Sequence, residues 1–333
     1  MTGGEILLLG DINIDTVLPV NEFPIPGRDG FAPYVSVEVG GAVVNSAFVF
    51  NNLVQKVALL GCVGKDVWAE KVKQELAHTM INQDYIRIKL EHSTGLTFII
   101  VTPDGERTMF SHRGANTKLE PQDIDENAFR KAELLHISGY ALLESPQKDA
   151  AWRAVELAKK FHIPLSLDTG LDPVVRNPDE LRRLLPELSI CITGPQEIAV
   201  LFGDMVLDEA VQKMISSGIE LVAVKMGEKG CHVFNADEKV SYPSFSVDSV
   251  DTTGAGDSFT TGLLYGWIRG LSLSASAMVA SALGALATTV YGAGSSLPTK
   301  QKLLDFLRLE RKKTIAPQQH TIDEIVTALE REY

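Results

Sequence analysis

Residues 251–259 read DTTGAGDSF, and their order suits chemistry on an anion. Gly254, Ala255 and Gly256 leave their backbone N–H groups almost free of side chains, and an apolar helical run from about Ser258 follows. A helix N-terminus with bare N–H groups and a positive dipole end binds anions. Asp257 can accept a proton there, or can simply stabilise the helix start. The local residues leave both readings open. A phosphate loop of the GxxxxGK-Ser/Thr type is absent, and residues 61–66, GCVGKD, do not supply one. The dinucleotide spacing also fails, because the next glycine after Gly256 is Gly262. An anion hole beside a proton-accepting carboxylate matches the division of labour for phosphoryl transfer to an alcohol.

A polyol acceptor needs several converging donors and acceptors, among which carboxylates give the strongest bonds to hydroxyls. Asn13 and Asp15 in GDINIDTV could supply them, or could serve only as Asx-turn residues at a strand end. GGAVVNSAFVFNNL and GCVGKDVWA follow, and DTTGAGDSFTTGLL comes some two hundred residues later. Together these segments resemble the N- and C-terminal signatures of the ribokinase-like (PfkB) carbohydrate kinases, over about residues 6–298. The resemblance implies an ATP-dependent sugar kinase with Asp257 as catalytic base and the Gly254, Ala255 and Gly256 backbone as anion hole. It places Asn13, Asp15, Gly41, Asn45 and Glu144 on the sugar.

The same resemblance assigns the nucleotide side to VKMGEKGCHVF, with Lys225, Gly227 and Gly230, and to TGPQE, with Gly194 and Glu197. Lys225 stands where relatives carry Thr and could meet a phosphate or point to solvent. Gly194 stands where relatives carry Asn, and Glu197 would position Mg²⁺ through waters. Ser281 matches a position near the adenine. A monovalent cation such as K⁺ would lie among Asp251, Thr253, Ala287, Val290, Gly292 and Ser296.

The elements that must hold these residues alternate. The apolar runs EILLLG, VALLG, LLHISG, PLSLD, ICITG and LVAVK are separated by helical patterns such as 147–161 and 208–217. Such alternation predicts an α/β fold: a doubly wound, mostly parallel sheet with helices on both faces, in one domain over 1–333. Residues 16–39 and 94–113 break the pattern with antiparallel-type strands, the second pair joined at TPDGER, and read as a small inserted β-sheet lid. Thr321 and Glu324 are spaced as a capping box opening a C-terminal helix.

The formal charge of −12 argues against nucleic acid or an anionic membrane as partner. Cys62, Cys191 and Cys231 form no CxxC pair and sit in apolar runs, as buried small hydrophobes do. The N-terminus lacks a basic leader, and 274–290 is too short and polar to span a bilayer, so a cytoplasmic location is expected. The resemblance implies a homodimer through the lid.

Ribose, fructose or a related sugar fits, Ala42 replacing the lysine that often follows the double glycine. A nucleoside kinase would call for more lid aromatics than Phe23, Phe31, Tyr34, Phe98 and Phe110. Arg107 and Arg113 hint at a phosphorylated or acidic sugar, but are read here as a solvated strand face. A catalytically silent sugar sensor is disfavoured by the presence of both Asp257 and Glu197.

Overall fold

In the computed structural model, which describes residues 4–103 and 107–331, β1 (Glu5–Leu9) shows how the strands divide the core. Ile6 and Leu8 enter one apolar cluster while Leu7 and Leu9 enter another. That follows from the two-residue period of a strand buried on both faces. The remaining strands are β2 (Asn13–Pro19), β3 (Ser36–Gly40), β4 (Val57–Gly64), β5 (Ile86–Lys89), β6 (Gly95–Val101) and β7 (Arg107–His112). They continue with β8 (Ala132–Ser138), β9 (Leu165–Asp168), β10 (Ile190–Thr193), β11 (Leu221–Lys225), β12 (Cys231–Phe234) and β13 (Lys239–Tyr242).

Among the described residues, nine strands form one sheet in the order β13-β12-β11-β10-β9-β8-β1-β4-β5. Its pairs from β11 through β5 are parallel, and the β11–β12 and β12–β13 pairs are antiparallel, so that β12 alone runs against the rest. This is the expected α/β architecture. The strand order departs in both directions from β1 and β8, which creates a crevice beyond their carboxyl ends.

A second sheet of four strands, β3-β2-β6-β7, stands beside that crevice. Its outer pairs are antiparallel, but its central pair, β2 with β6, is parallel, so the antiparallel expectation holds only for each half. The two halves come from separate excursions of the chain that leave the main sheet in the same sense. Of the TPDGER turn, residues 104–106 lie outside the described residues.

Two further expectations are corrected. The helix after the glycine run spans Ala255–Ile268 and starts three residues before Ser258, with Gly254 as its N-cap at φ 73°. A left-handed φ of this kind suits glycine. The C-terminal helix spans Ala316–Glu330, so Thr321 lies inside it and bonds the Pro317 carbonyl. Glu324 instead accepts from the backbone N–H and hydroxyl of Ser272, capping the neighbouring helix Leu273–Ala287. That neighbour packs tightly on the Ala255–Ile268 helix. A Cβ on Gly262 would come within 2.7 Å of the Ala280 backbone. Among the described residues, no helix is long and apolar enough to cross a membrane.

Candidate active site

The crevice is a cavity of about 480 Å³. Asn13, Asp15, Gly41 and Asn45 line it together with Gly254, Gly256 and Asp257. These are most of the residues that the sequence assigns to the sugar and the anion hole. They arrive from the start of β2, the start of the helix Ala42–Asn52 and the start of the helix Ala255–Ile268.

Asp257 lies in the first turn of its helix, where Asn45 donates from Nδ2 to Oδ2 at 2.7 Å. The Asn45 carbonyl accepts from the Gly294 N–H at 3.2 Å, which commits the amide NH₂ to Asp257. Burial pushes the Asp257 carboxyl up to about 6, against the Asn45 hydrogen bond that favours its charged form. Asp15 is 7% exposed. Burial, with the Asp257 charge behind it, pushes the Asp15 carboxyl up to about 7. The Gly41 backbone and the Thr97 hydroxyl oppose that rise by hydrogen bonding.

The inner face of the four-stranded sheet supplies the roof. Its register places Glu38, Asp15, Thr97 and Ser111 in one row across all four strands. Cross-strand partners share a face, so this row is polar and turned to the cavity. The adjacent row on the opposite face carries Val37, Thr16, Phe98 and Phe110, of which Phe98 is 44% and Phe110 61% exposed.

Arg107 and Arg113 are not on a solvated strand face. Arg107 lines the cavity and donates to the Thr253 hydroxyl at 3.4 Å. Arg113 clasps Asp11 through Nε at 2.8 Å and Nη2 at 2.9 Å, and also bonds the Tyr140 carbonyl. The buried Asp11 carboxylate, held further by Gln147, needs that counter-charge. Glu144 is displaced from its expected place. It accepts from Arg113, is 57% exposed and faces a neighbouring surface groove. Asn116 completes this corner by holding both the Ile12 backbone and the Asn13 side chain.

The residues expected on the nucleotide side lie off the cavity wall. Gly194 caps the helix Pro195–Phe202, and the Glu197 carboxylate folds back over it, within 2.4 Å of where a Cβ would stand. No side chain fits at 194 while Glu197 holds that position. Gly227 and Gly230 turn the chain at φ 60° and 90°. Ser281 meets the Cys231 sulfur at 3.5 Å. Lys225 does not point to solvent: its ammonium donates to both Asp168 oxygens, at 2.9 and 2.7 Å. Thr260 donates to the same carboxylate. Lys225 Nζ lies 3.8 Å from where a Cβ on Gly256, three residues before Phe259, would stand.

Of the expected cation ligands, Asp251, Thr253 and Gly292 come together. One Asp251 oxygen accepts from the Thr253 N–H and hydroxyl, and the other from the Gly292 N–H. Ala287 ends its helix, and Val290 and Ser296 lie in the segment that follows. Asp11, Glu38, Asn116 and Asp168 escape a sequence reading, because each matters only through a partner distant in the chain.

The pfkB family carbohydrate kinase model matches residues 4–300. "Probable fructokinase-3" of Arabidopsis thaliana is 30% identical over 327 residues, covering 93% of each chain. A deoxyribokinase of Salmonella typhimurium is 27% identical over 312 residues, covering 92% of this chain and 99% of its own. The crystal structure of a ribokinase from Thermotoga maritima superposes with a TM-score of 0.79 at 26% identity, over 92% of this chain and 99% of that one. The match over nearly the whole chain, on a sheet and crevice of this form, makes the protein a member of the pfkB family of carbohydrate kinases, a phosphotransferase acting on a sugar hydroxyl.

Proposed function

We propose that the protein transfers the γ-phosphoryl group of ATP to a primary hydroxyl of a small sugar such as ribose, fructose or a related sugar. The observation that carries this reading is the Asp257 carboxylate, fixed by Asn45 in the first turn of a helix at whose start Gly254 and Gly256 line the cavity. Asn13 and Asp15 hold the sugar hydroxyls from the β2 side. Asp257 takes the proton of the attacking hydroxyl as the new O–P bond forms. The bond from the γ-phosphorus to its bridging oxygen breaks, and ADP leaves with the electron pair. The N–H groups of Gly254 and Gly256 receive the charge that builds on the transferring group, joined by that of Ala255 once it leaves its 3.3 Å bond to the Thr252 carbonyl.

The nucleotide approaches over Gly256 and Gly227, around which the chain leaves open space. Lys225, held by Asp168, sets a positive charge beside that path. The partly buried Glu197 carboxylate suits a water-mediated contact with Mg²⁺, which would neutralise phosphate charge when bound. The contacts of Asp251 with Thr253 and Gly292 already order the loops expected to hold K⁺. Turnover in K⁺ against a bulky organic cation decides whether that ion belongs to the reaction.

Arg107 in the cavity wall favours a second reading, a phosphorylated or acidic sugar as acceptor. ADP release measured with ATP, Mg²⁺ and a panel of neutral, acidic and phosphorylated sugars tests both. Turnover with none of them removes the proposal. The exposed Phe98 and Phe110 support a homodimer through the four-stranded sheet. Light scattering that shows a strict monomer at micromolar concentration removes that arrangement.

A further inference from the structure

Three consecutive backbone N–H groups in the loop after the helix Leu273–Ala287 each go to a side chain from a different part of the chain. Gly292 donates to Asp251 at 2.9 Å, Ala293 to Glu38 at 2.8 Å and Gly294 to Asn45 at 3.2 Å. Asn45 in turn holds Asp257. Glu38 belongs to β3, an edge strand of the roof sheet. At the opposite edge, Arg107 on β7 bonds Thr253, whose hydroxyl and N–H bond Asp251. A ring of polar contacts therefore runs from one edge of the roof, through the 292–294 loop and Asp251, to the other edge. One branch of that ring ends on Asp257.

The position of Glu38 is costly without a purpose. It is the direct cross-strand partner of Asp15, and like charges placed opposite one another destabilise a sheet. Its charge also helps to push up the Asp15 carboxyl. A threonine or serine there would spare that repulsion, but its side chain would fall short of Ala293. The Ser36 hydroxyl donates to the other Glu38 oxygen at 2.6 Å and aims the carboxylate at the loop.

We infer that Glu38 is a positioning residue, a latch that ties the roof sheet to the 292–294 loop and so sets the Asn45–Asp257 contact only when the roof is closed. The latch rests on the kinase reading given above. It makes the proton acceptor competent when the sugar is covered, which limits transfer to water.

The test is kinetic, on the full chain with its best sugar. Glu38→Ala lowers kcat between about ten- and a hundredfold, the range expected for a misplaced reacting group. The KM for ATP stays within about twofold, because the nucleotide path lies elsewhere. Glu38→Gln, which keeps an acceptor oxygen for Ala293 and turns its NH₂ to the Ser36 hydroxyl, now an acceptor, restores kcat to within a few-fold. Glu38→Asp, charged but one methylene shorter, behaves like the alanine variant. In a double-mutant cycle, adding Asn45→Ala to Glu38→Ala costs much less than Asn45→Ala alone, since both act on the same contact. Multiplicative losses, or a fully active Glu38→Asp, overturn the latch. Should the alanine variant fail to fold, the glutamine and aspartate pair decides alone. A wild-type protein inactive on every sugar defeats the kinase reading instead, whereas an active one with indifferent Glu38 variants defeats only the latch.

Discussion

The Asp15 end of the site and the Lys225 end are built from different materials. At the Asp15 end, side chains are already tied to one another: Asn45 to Asp257, Asn116 to Asn13, Arg113 to Asp11. At the Lys225 end, one side-chain cluster is preset, Lys225 and Thr260 on Asp168, and the rest is glycine turns: among the described residues, nothing beyond its chain neighbours lies within 4 Å of an ideal Cβ on Gly227. A sugar presents hydroxyls in a fixed pattern and rewards preset partners. A polyphosphate presents diffuse charge, which backbone N–H groups and one ammonium can meet without shape. The difference teaches where substitutions should separate binding from turnover.

The largest effect should come from the residue where the two ends meet. Asp257→Asn keeps the size and most hydrogen bonding but removes the proton acceptor. It lowers kcat by about 10²–10⁴-fold, the usual contribution of a general base. Calorimetric binding of sugar and of an ATP analogue stays close to wild type. Activity within a few-fold of wild type breaks the assignment of Asp257 as base.

Asp15 sharpens the contrast, because its loss should be felt by the sugar alone. Asp15→Ala raises the sugar KM about ten- to a hundredfold, equivalent to roughly 1.5–3 kcal/mol for a charged hydrogen bond, and leaves the ATP KM unchanged. Stability moves the other way. A carboxyl pushed up to about 7 binds its proton more tightly folded than unfolded. Its stabilising contribution is therefore present below pH 4 and is lost as pH rises through 7. Asp15→Asn removes that loss, and should stabilise the protein at pH 8 by about 1–3 kcal/mol while giving little at pH 4. Thermal melts at the two pH values read it directly. A variant less stable at both makes Asp15 a turn-former.

How much of this was legible in the chain depends on distance. The parallel sheet was legible because most of its strands carry largely apolar runs of their own, as β1 and β4 do, whereas the edge strand β5, IRIK, carries none. The anion turn was legible because Gly254, Gly256 and Asp257 are neighbours and act together. Asn45 could be placed at the site, but its hold on Asp257 spans 212 positions, which no local spacing reveals. Arg113 was misread for the same reason: its partner Asp11 is 102 positions away, and an arginine near a strand end looks solvated in isolation. Glu324 shows the converse error. Its spacing from Thr321 matches a local cap, yet its carboxylate caps another helix, 52 positions away at Ser272.

Lys225 tests whether the nucleotide end also governs the base. Its ammonium lowers the Asp257 carboxyl, while Asp168 raises it, both weaker than the effect of burial. Lys225→Met should move the acidic limb of kcat, near pH 6 in the wild type, to higher pH. The loss is then greatest at pH 6 and partly recovered at pH 8.5. Adding Asp168→Asn removes the opposing charge and returns the limb toward its original place. A limb that stays put in both variants separates the two ends completely.

Glu197 should give the smallest change. Glu197 is partly buried and its carboxylate lies over Gly194, where no side chain could share the space. A contact with Mg²⁺ from there runs through water, and such contacts tolerate exchange of one oxygen ligand for another. Glu197→Gln keeps the size and one acceptor oxygen but removes the charge that draws the ion. Attraction through an intervening water, over a longer distance than direct ligation, is weakened, so the attraction lost is small. The Mg²⁺ concentration for half-maximal rate should rise about threefold, with kcat at saturating Mg²⁺ and the sugar KM unchanged. Titration of the rate with Mg²⁺ at fixed ATP measures all three. A large fall in kcat at saturation would mean that Glu197 acts on the transferring group itself, and the nucleotide end would then be as preset as the sugar end.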